Sequence, residues 1–227
     1  MGQTDTMRAR WRAAVVAVAP GVLLAGFVYH PFLHHPTDPM TIAAAAAADT
    51  TRWGIAHLAI AVGYGLAVLA FIAIRGYLRD AGEERWSATA LPFIVMGSTL
   101  FAVLPGMEFA PLAAAETGAD GQAIQAALIP WFVPILLTGG VSFAVGALGF
   151  GIAIARSGVM SRMATWLAVG ALVVMAAARF VPLSAAPYVI AAAGILALWP
   201  LAYAMWTHPE ARSAGLPRRL PPSRHAQ

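Results

Sequence analysis

Four side chains in this 227-residue chain stand out as chemistry inside an otherwise apolar sequence: His30, His57, Glu108 and Arg179. Each falls within or at the edge of a long hydrophobic run. An ionisable group there costs a few kcal/mol at the bilayer centre, so it is a candidate for function. A carboxylate and a guanidinium lower each other's cost if they meet. The expectation is therefore that Glu108 and Arg179 pair across two spans. His57 then adds a neutral or protonatable group to a pocket for a small molecule or lipid, with Arg179 as the partner of an anion. The competing reading is near-interface chemistry without function. On that reading Arg179 snorkels outward, Glu108 faces water or pairs with Arg179, and His57 bonds a nearby carbonyl or serine.

The histidines allow other chemistry. His30, His34, His35 and His57, with Glu108 or Asp38, offer imidazole and carboxylate ligands to a divalent metal such as zinc, copper, nickel or iron. The spacing His30-Pro-Phe-Leu-His34-His35 matches no strong ligand motif, and Pro31 breaks the helix that would place His30 and His34 on one face. Haem would need two axial ligands, with His57 and either His30 or Met107 as the set. Gly140-Val141-Ser142 resembles the serine motif of intramembrane rhomboid proteases. That dyad needs a histidine in a later span, and none is present there, so Ser142 is read as a packing residue. No HExxH and no nucleotide-binding loop occurs.

Composition narrows the classes further. Hydrophobic residues make up 60% of the chain and charged residues 11%, against about 25% charged in a soluble domain. There is no cysteine, which excludes disulfides, thiol catalysis and Cys-ligated zinc or iron–sulfur sites. There is no lysine, which excludes Schiff-base chemistry. The net charge of +4 would suggest nucleic acid in a soluble protein; here the basic residues flank apolar runs, where they meet lipid headgroups instead. The arginine-only, alanine-rich usage points to a GC-rich bacterial genome.

The elements that must position these residues are six apolar runs, each long enough to cross a bilayer. They read approximately as 13–29, 54–74, 88–109, 131–155, 163–182 and 186–206, followed by an Arg/Pro-rich tail, 207–227, expected to be disordered. The first run lacks a small-x-small cleavage site and is expected to stay as a span. Backbone in hydrocarbon must satisfy itself, so the fold class is all-α: a polytopic six-transmembrane-helix bundle in one domain. Twelve of fourteen arginines fall in alternate connections, which places the N- and C-termini in the cytoplasm and the protein in the inner (plasma) membrane. Trp11, Trp86, Trp166 and Trp206 fall at the same predicted boundary, and Trp53 and Trp131 at the other, as an aromatic belt would. By this topology His30, His57, Glu108 and Arg179 share one depth near the outer face, under two outer loops. Within the first outer loop Met40–Ala48 reads as a short interfacial helix.

Small residues recur at four-residue spacing: Ala17, Gly21 and Ala25; Ala59, Gly63 and Ala67; and Ser142 and Gly146 with Ala147, Gly151 and Ala155. These read as packing seams, within the bundle or to a second copy or another subunit. The functional expectation is a non-enzymatic binding, transport-accessory or structural membrane protein. The alternatives are a metal- or haem-binding oxidoreductase or sensor, and a small solute permease.

Overall fold

The computed structural model describes residues 3–181 and 183–207. Among these residues the chain is helical throughout, with no strand. Helix α1 spans Gln3–Tyr29, α2 Pro39–Ala48, α3 Thr50–Asp80, α4 Arg85–Met107, α5 Phe109–Thr117, α6 Gly121–Ser157, α7 Arg162–Ala177 and α8 Ala186–Thr207. A single 3-10 turn, Ala178–Phe180, follows α7. Six segments are long and apolar enough to cross a membrane: α1, α3, α4 continued by α5, α6, α7 with its 3-10 turn, and α8. The protein is a multi-pass membrane protein of helical-bundle type. The expected tail, apart from Thr207, lies outside the described residues.

Long helices alternate in direction. The start of α1, the end of α3 and the end of α8 come together, because Arg12 Nη1 bonds Asp80 Oδ2 at 3.0 Å and the Arg10 guanidinium lies 5.6 Å from the Trp206 ring. This is the arginine-rich end. Glu83 accepts hydrogen bonds from the Trp86 and Ser87 N–H groups there, capping α4. The opposite end holds α2, α5 and the start of α6.

Close backbone approach holds the bundle together. A Cβ on Gly97 of α4 would lie 2.7 Å from the Phe143 backbone nitrogen of α6, and one on Gly146 of α6 would lie 2.7 Å from the Ile94 nitrogen of α4. Gly26 meets Ile60 and Gly63 meets Leu23 in the same way between α1 and α3. Lipid is as apolar as leucine, so such contacts, rather than hydrophobic burial, drive helix association. Exposed Val141, Val145, Leu148 and Ile152 line the outer side of α6, as a lipid-facing surface requires. The Gly63 and Gly146 seams lie inside the bundle. The α1 seam does not: a Cβ on Gly21 would meet nothing within 4 Å, and Ala25 is exposed. The interior position on α1 is Gly26, one residue further on.

The region between residues 110 and 130, expected as a loop, is almost entirely helical. Asp120 caps α6 by accepting from the Ala123 N–H at 3.0 Å, so that helix starts ten residues before the expected span. Gly118, at φ 74°, ends α5 in the left-handed conformation that suits glycine. The α4–α5 break falls at Glu108 because Pro111 offers no N–H and its ring crowds the carbonyl four residues back. In the other connection Asp38 and Pro39 start α2, as the Ala-rich stretch predicts, with the Asp38 carboxylate accepting from the Met40 and Thr41 N–H groups. Helix α2 is not a free interfacial helix, since Ile42 and Ala46 are buried in a small core with Trp53.

Helix α7 ends earlier than the expected boundary at 182. Val181 is extended, at φ −101° and ψ 113°, as a residue preceding proline prefers. The described residues between the 3-10 turn and α8, Val181 and 183–185, are therefore irregular while their neighbours are still helical. Such backbone at membrane depth is tolerated where it is buried or lines a cavity.

Candidate functional site

The irregular segment does line a cavity. It has a volume of about 440 Å³ and is walled by α1, α3, α4, α6 and α8, with Leu33, Pro36 and Thr37 of the α1–α2 connection above it. His30, His57, Glu108 and Arg179 all line it, together with Trp53 and Tyr64. Most of the remaining wall is apolar: Phe27, Ile60, Leu104, Phe132, Leu136 and Ile190. The roof differs from the expected one. Only the first connection contributes; the second contributes nothing to the wall, and its place is taken by residues 178–181, Leu183, Ala186 and Pro187.

The four polar groups do not share one depth. Counted from the arginine-rich ends at 1.5 Å per residue, His57 on α3 and Glu108 after α4 both lie about 35 Å along. The Arg179 side chain instead reaches down to Tyr64, Phe101 and Phe143, which lie about 21–24 Å from those ends. The cavity thus has a rim, with His30, His57, Trp53 and Glu108, and a floor about 10 Å deeper, with Arg179 and Tyr64.

At the floor the guanidinium lies 3.9 Å from the Phe143 ring centre and 4.2 Å from that of Phe101, and its Nη1 donates to the Tyr64 hydroxyl at 3.3 Å. Tyr64 and Phe101 stack at 5.5 Å. Arg179 is 9% exposed, and its Nε is buried with no hydrogen-bond partner. The expected ion pair is absent. Among the described residues neither Arg179 nor Glu108 has an opposite charge within 4 Å, whereas Arg12, Arg75 and Arg79 each have one at the other end of the bundle. The difference in depth is the reason. Snorkelling is also absent, since the side chain turns inward onto the Phe143, Phe101 and Tyr64 rings.

At the rim Trp53, 1% exposed, donates its indole N–H to the Glu108 carbonyl at 2.9 Å, satisfying a backbone group at the helix break. The Gln125 amide donates to Glu108 Oε1 at 3.1 Å, and Glu108 Oε2 is buried without a partner. His57 Nδ1 lies 2.8 Å from the Trp53 carbonyl, the kind of bond anticipated for a non-functional histidine. His30 Nδ1 lies 2.7 Å from the Pro31 carbonyl. The two imidazoles pack edge to face at 4.8 Å, both against Trp53. Burial holds the His30 pKa below its ordinary value; its bond to Pro31 pushes the other way, and Arg52 depresses it further.

The four-histidine metal set is not assembled. His34 and His35 are exposed in the connection after Pro31 and do not line the cavity. Among the described residues no three His, Cys, Asp or Glu side chains converge on a point that could hold a metal ion. A porphyrin between His30 and His57 does not fit either, since their rings are already in contact and perpendicular rather than facing across a gap. Ser142 is buried, and among the described residues no histidine bonds it. Sequence reasoning missed Tyr64, Phe101 and Phe143. Tyr64 was within reach, because it lies seven residues from His57 and hence on the same face of α3.

No protein-family model matches the chain, and no match is found among curated proteins or solved structures.

Proposed function

We propose that this protein is a non-enzymatic membrane protein that binds an amphipathic anion, a molecule with an acidic group and an apolar body, in the cavity at one end of its bundle. The observation that carries this reading is the Arg179 guanidinium: buried, paired with no carboxylate, and set in the floor of a largely apolar cavity of about 440 Å³. That volume is in the range of small-molecule sites. An anion accepting from the free Nε–H would satisfy an orphaned donor and neutralise an unpaired charge together. The arginine distribution and tryptophan belts support an orientation with both termini in the cytoplasm, and a cavity opening to the outer face of the plasma membrane.

Binding fits better than passage. Below the floor Phe71, Phe143 and Phe150 close the interior, with Phe71 ring centres 6.2 and 4.9 Å from the other two. A permease would need polar groups or a broken path there. The test is calorimetric titration of the purified protein in lipid nanodiscs with decanoate and with decanol. Charge-assisted hydrogen bonds are worth about 1.5–3 kcal/mol, so decanoate should bind roughly ten- to hundredfold tighter than decanol. Arg179→Gln should abolish that preference. Equal affinity for acid and alcohol in the unaltered protein would end the reading.

A further inference from the structure

We infer that the ligand carries a hydrogen-bond donor, a hydroxyl or an amine, at the end of its apolar body opposite the acid. This rests on the anion reading for the floor but comes from different atoms, those of the rim. A carbonyl cannot donate, so the Trp53 and Pro31 carbonyls fix the proton of each neutral imidazole on Nδ1. Nε2 of His57 and of His30 is then a bare acceptor, and neither has a hydrogen-bond partner among the described residues. Glu108, 8% exposed, holds its Oε2 buried with no partner in the same cavity. The Trp53 indole N–H is already spent on the Glu108 carbonyl, and one Gln125 amide N–H on the Glu108 carboxyl. Only the exposed Thr37 hydroxyl could donate or accept. The rim therefore gathers two free imidazole acceptors beside the Glu108 carboxyl, and the floor gathers donors.

The two sets are separated along α3 by the seven residues from His57 to Tyr64, about 10 Å of rise. A ligand that satisfies both ends is bipolar: an acid reaching the floor, an apolar chain between Ile60, Leu104 and Leu136, and a donor at the rim. A second acid at the rim would instead face Glu108 and two lone pairs.

The experiment compares four probes in nanodiscs: decanoate, ω-hydroxydecanoate, the methyl ether of that hydroxyl, and decanedioate. The ether keeps the oxygen but cannot donate. The expected result is that the hydroxy acid binds roughly fivefold tighter than the ether, the increment of one neutral hydrogen bond, and that decanedioate binds most weakly. In the double variant His30→Phe, His57→Phe the hydroxy-to-ether ratio should fall toward one, and a retained cooperative unfolding transition shows that the variant is folded. If decanoate binds but hydroxy acid and ether bind alike, the inference is wrong and the anion site stands. If decanoate shows no preference over decanol, both fall. A preference for decanedioate over the hydroxy acid would overturn the assignment of the rim as an acceptor cluster.

Discussion

Replacing Arg179 with methionine should make the ligand-free protein more stable while removing its ability to bind an acid. The guanidinium is 9% exposed and has no carboxylate within 4 Å. Burying an ion costs several kcal/mol even after relaxation. Against this stand two close aromatic faces, at 3.9 and 4.2 Å, each worth about 0.5–2 kcal/mol. One long hydrogen bond to Tyr64 adds at most about 1 kcal/mol. Methionine has a similar length, removes the desolvation cost, and leaves its thioether on the same Phe101 and Phe143 rings for about 0.3–1.5 kcal/mol apiece. The balance favours Arg179→Met by about 2 kcal/mol. The assay is equilibrium unfolding of delipidated protein in mixed micelles, followed by tryptophan fluorescence, with decanoate titration of the same samples. A variant destabilised by 1 kcal/mol or more would refute the reasoning, because it would make Arg179 a structural cation rather than a charge held for a ligand.

Other parts of the account can be tested separately. Gly97→Ala should destabilise the bundle by roughly 1–3 kcal/mol, since the new methyl would meet the Phe143 and Gly139 backbone below 3 Å, whereas Gly65→Ala, with nothing within 4 Å, should be neutral or slightly stabilising; unfolding midpoints of the two variants decide it. Trp53→Phe should cost about 1–3 kcal/mol by orphaning the buried Glu108 carbonyl, and hydrogen exchange should rise first around the α4–α5 break. Thr41, through its hydroxyl and its N–H, holds the Asp38 carboxyl below the usual carboxylate range, with the Met40 N–H adding to the effect. That cap is therefore fully present above the ordinary carboxylate pKa and is lost as pH falls through the lowered one. Amide exchange in α2 should accelerate only on strong acidification, and Asp38→Ala should show that fast exchange at neutral pH.

The sequence made the six helices legible because hydrophobic length is nearly sufficient for that purpose. Several ends were legible to within a residue: the expected 29, 163, 186 and 206 meet helix ends at Tyr29, Arg162, Ala186 and Thr207. The start of α6 was missed because Gln122 and Gln125 end the apolar run while the helix continues beyond it. His57 and Glu108 both line the cavity, His57 from α3 and Glu108 from the α4–α5 break. The depth of Arg179 was not legible, because it depends on where α7 stops and which way a long side chain turns. The aromatic rings under the guanidinium come from α3, α4 and α6, and no local pattern links them. Likewise Gly21 and Gly26 look equally suited to packing in sequence; only the rotation of α1 against α3 selects the second.

The central claim is that an apolar chain lies in this cavity with its acid beside Arg179. Photolabelling with decanoate carrying a mid-chain diazirine tests it most directly, with adducts mapped by peptide mass spectrometry. The prediction is labelling concentrated on Ile60, Leu104 and Leu136, competed by excess decanoate and lost in Arg179→Gln. Labelling spread over the outer face of α6, at Val141, Val145 and Leu148, and insensitive to competitor would contradict it.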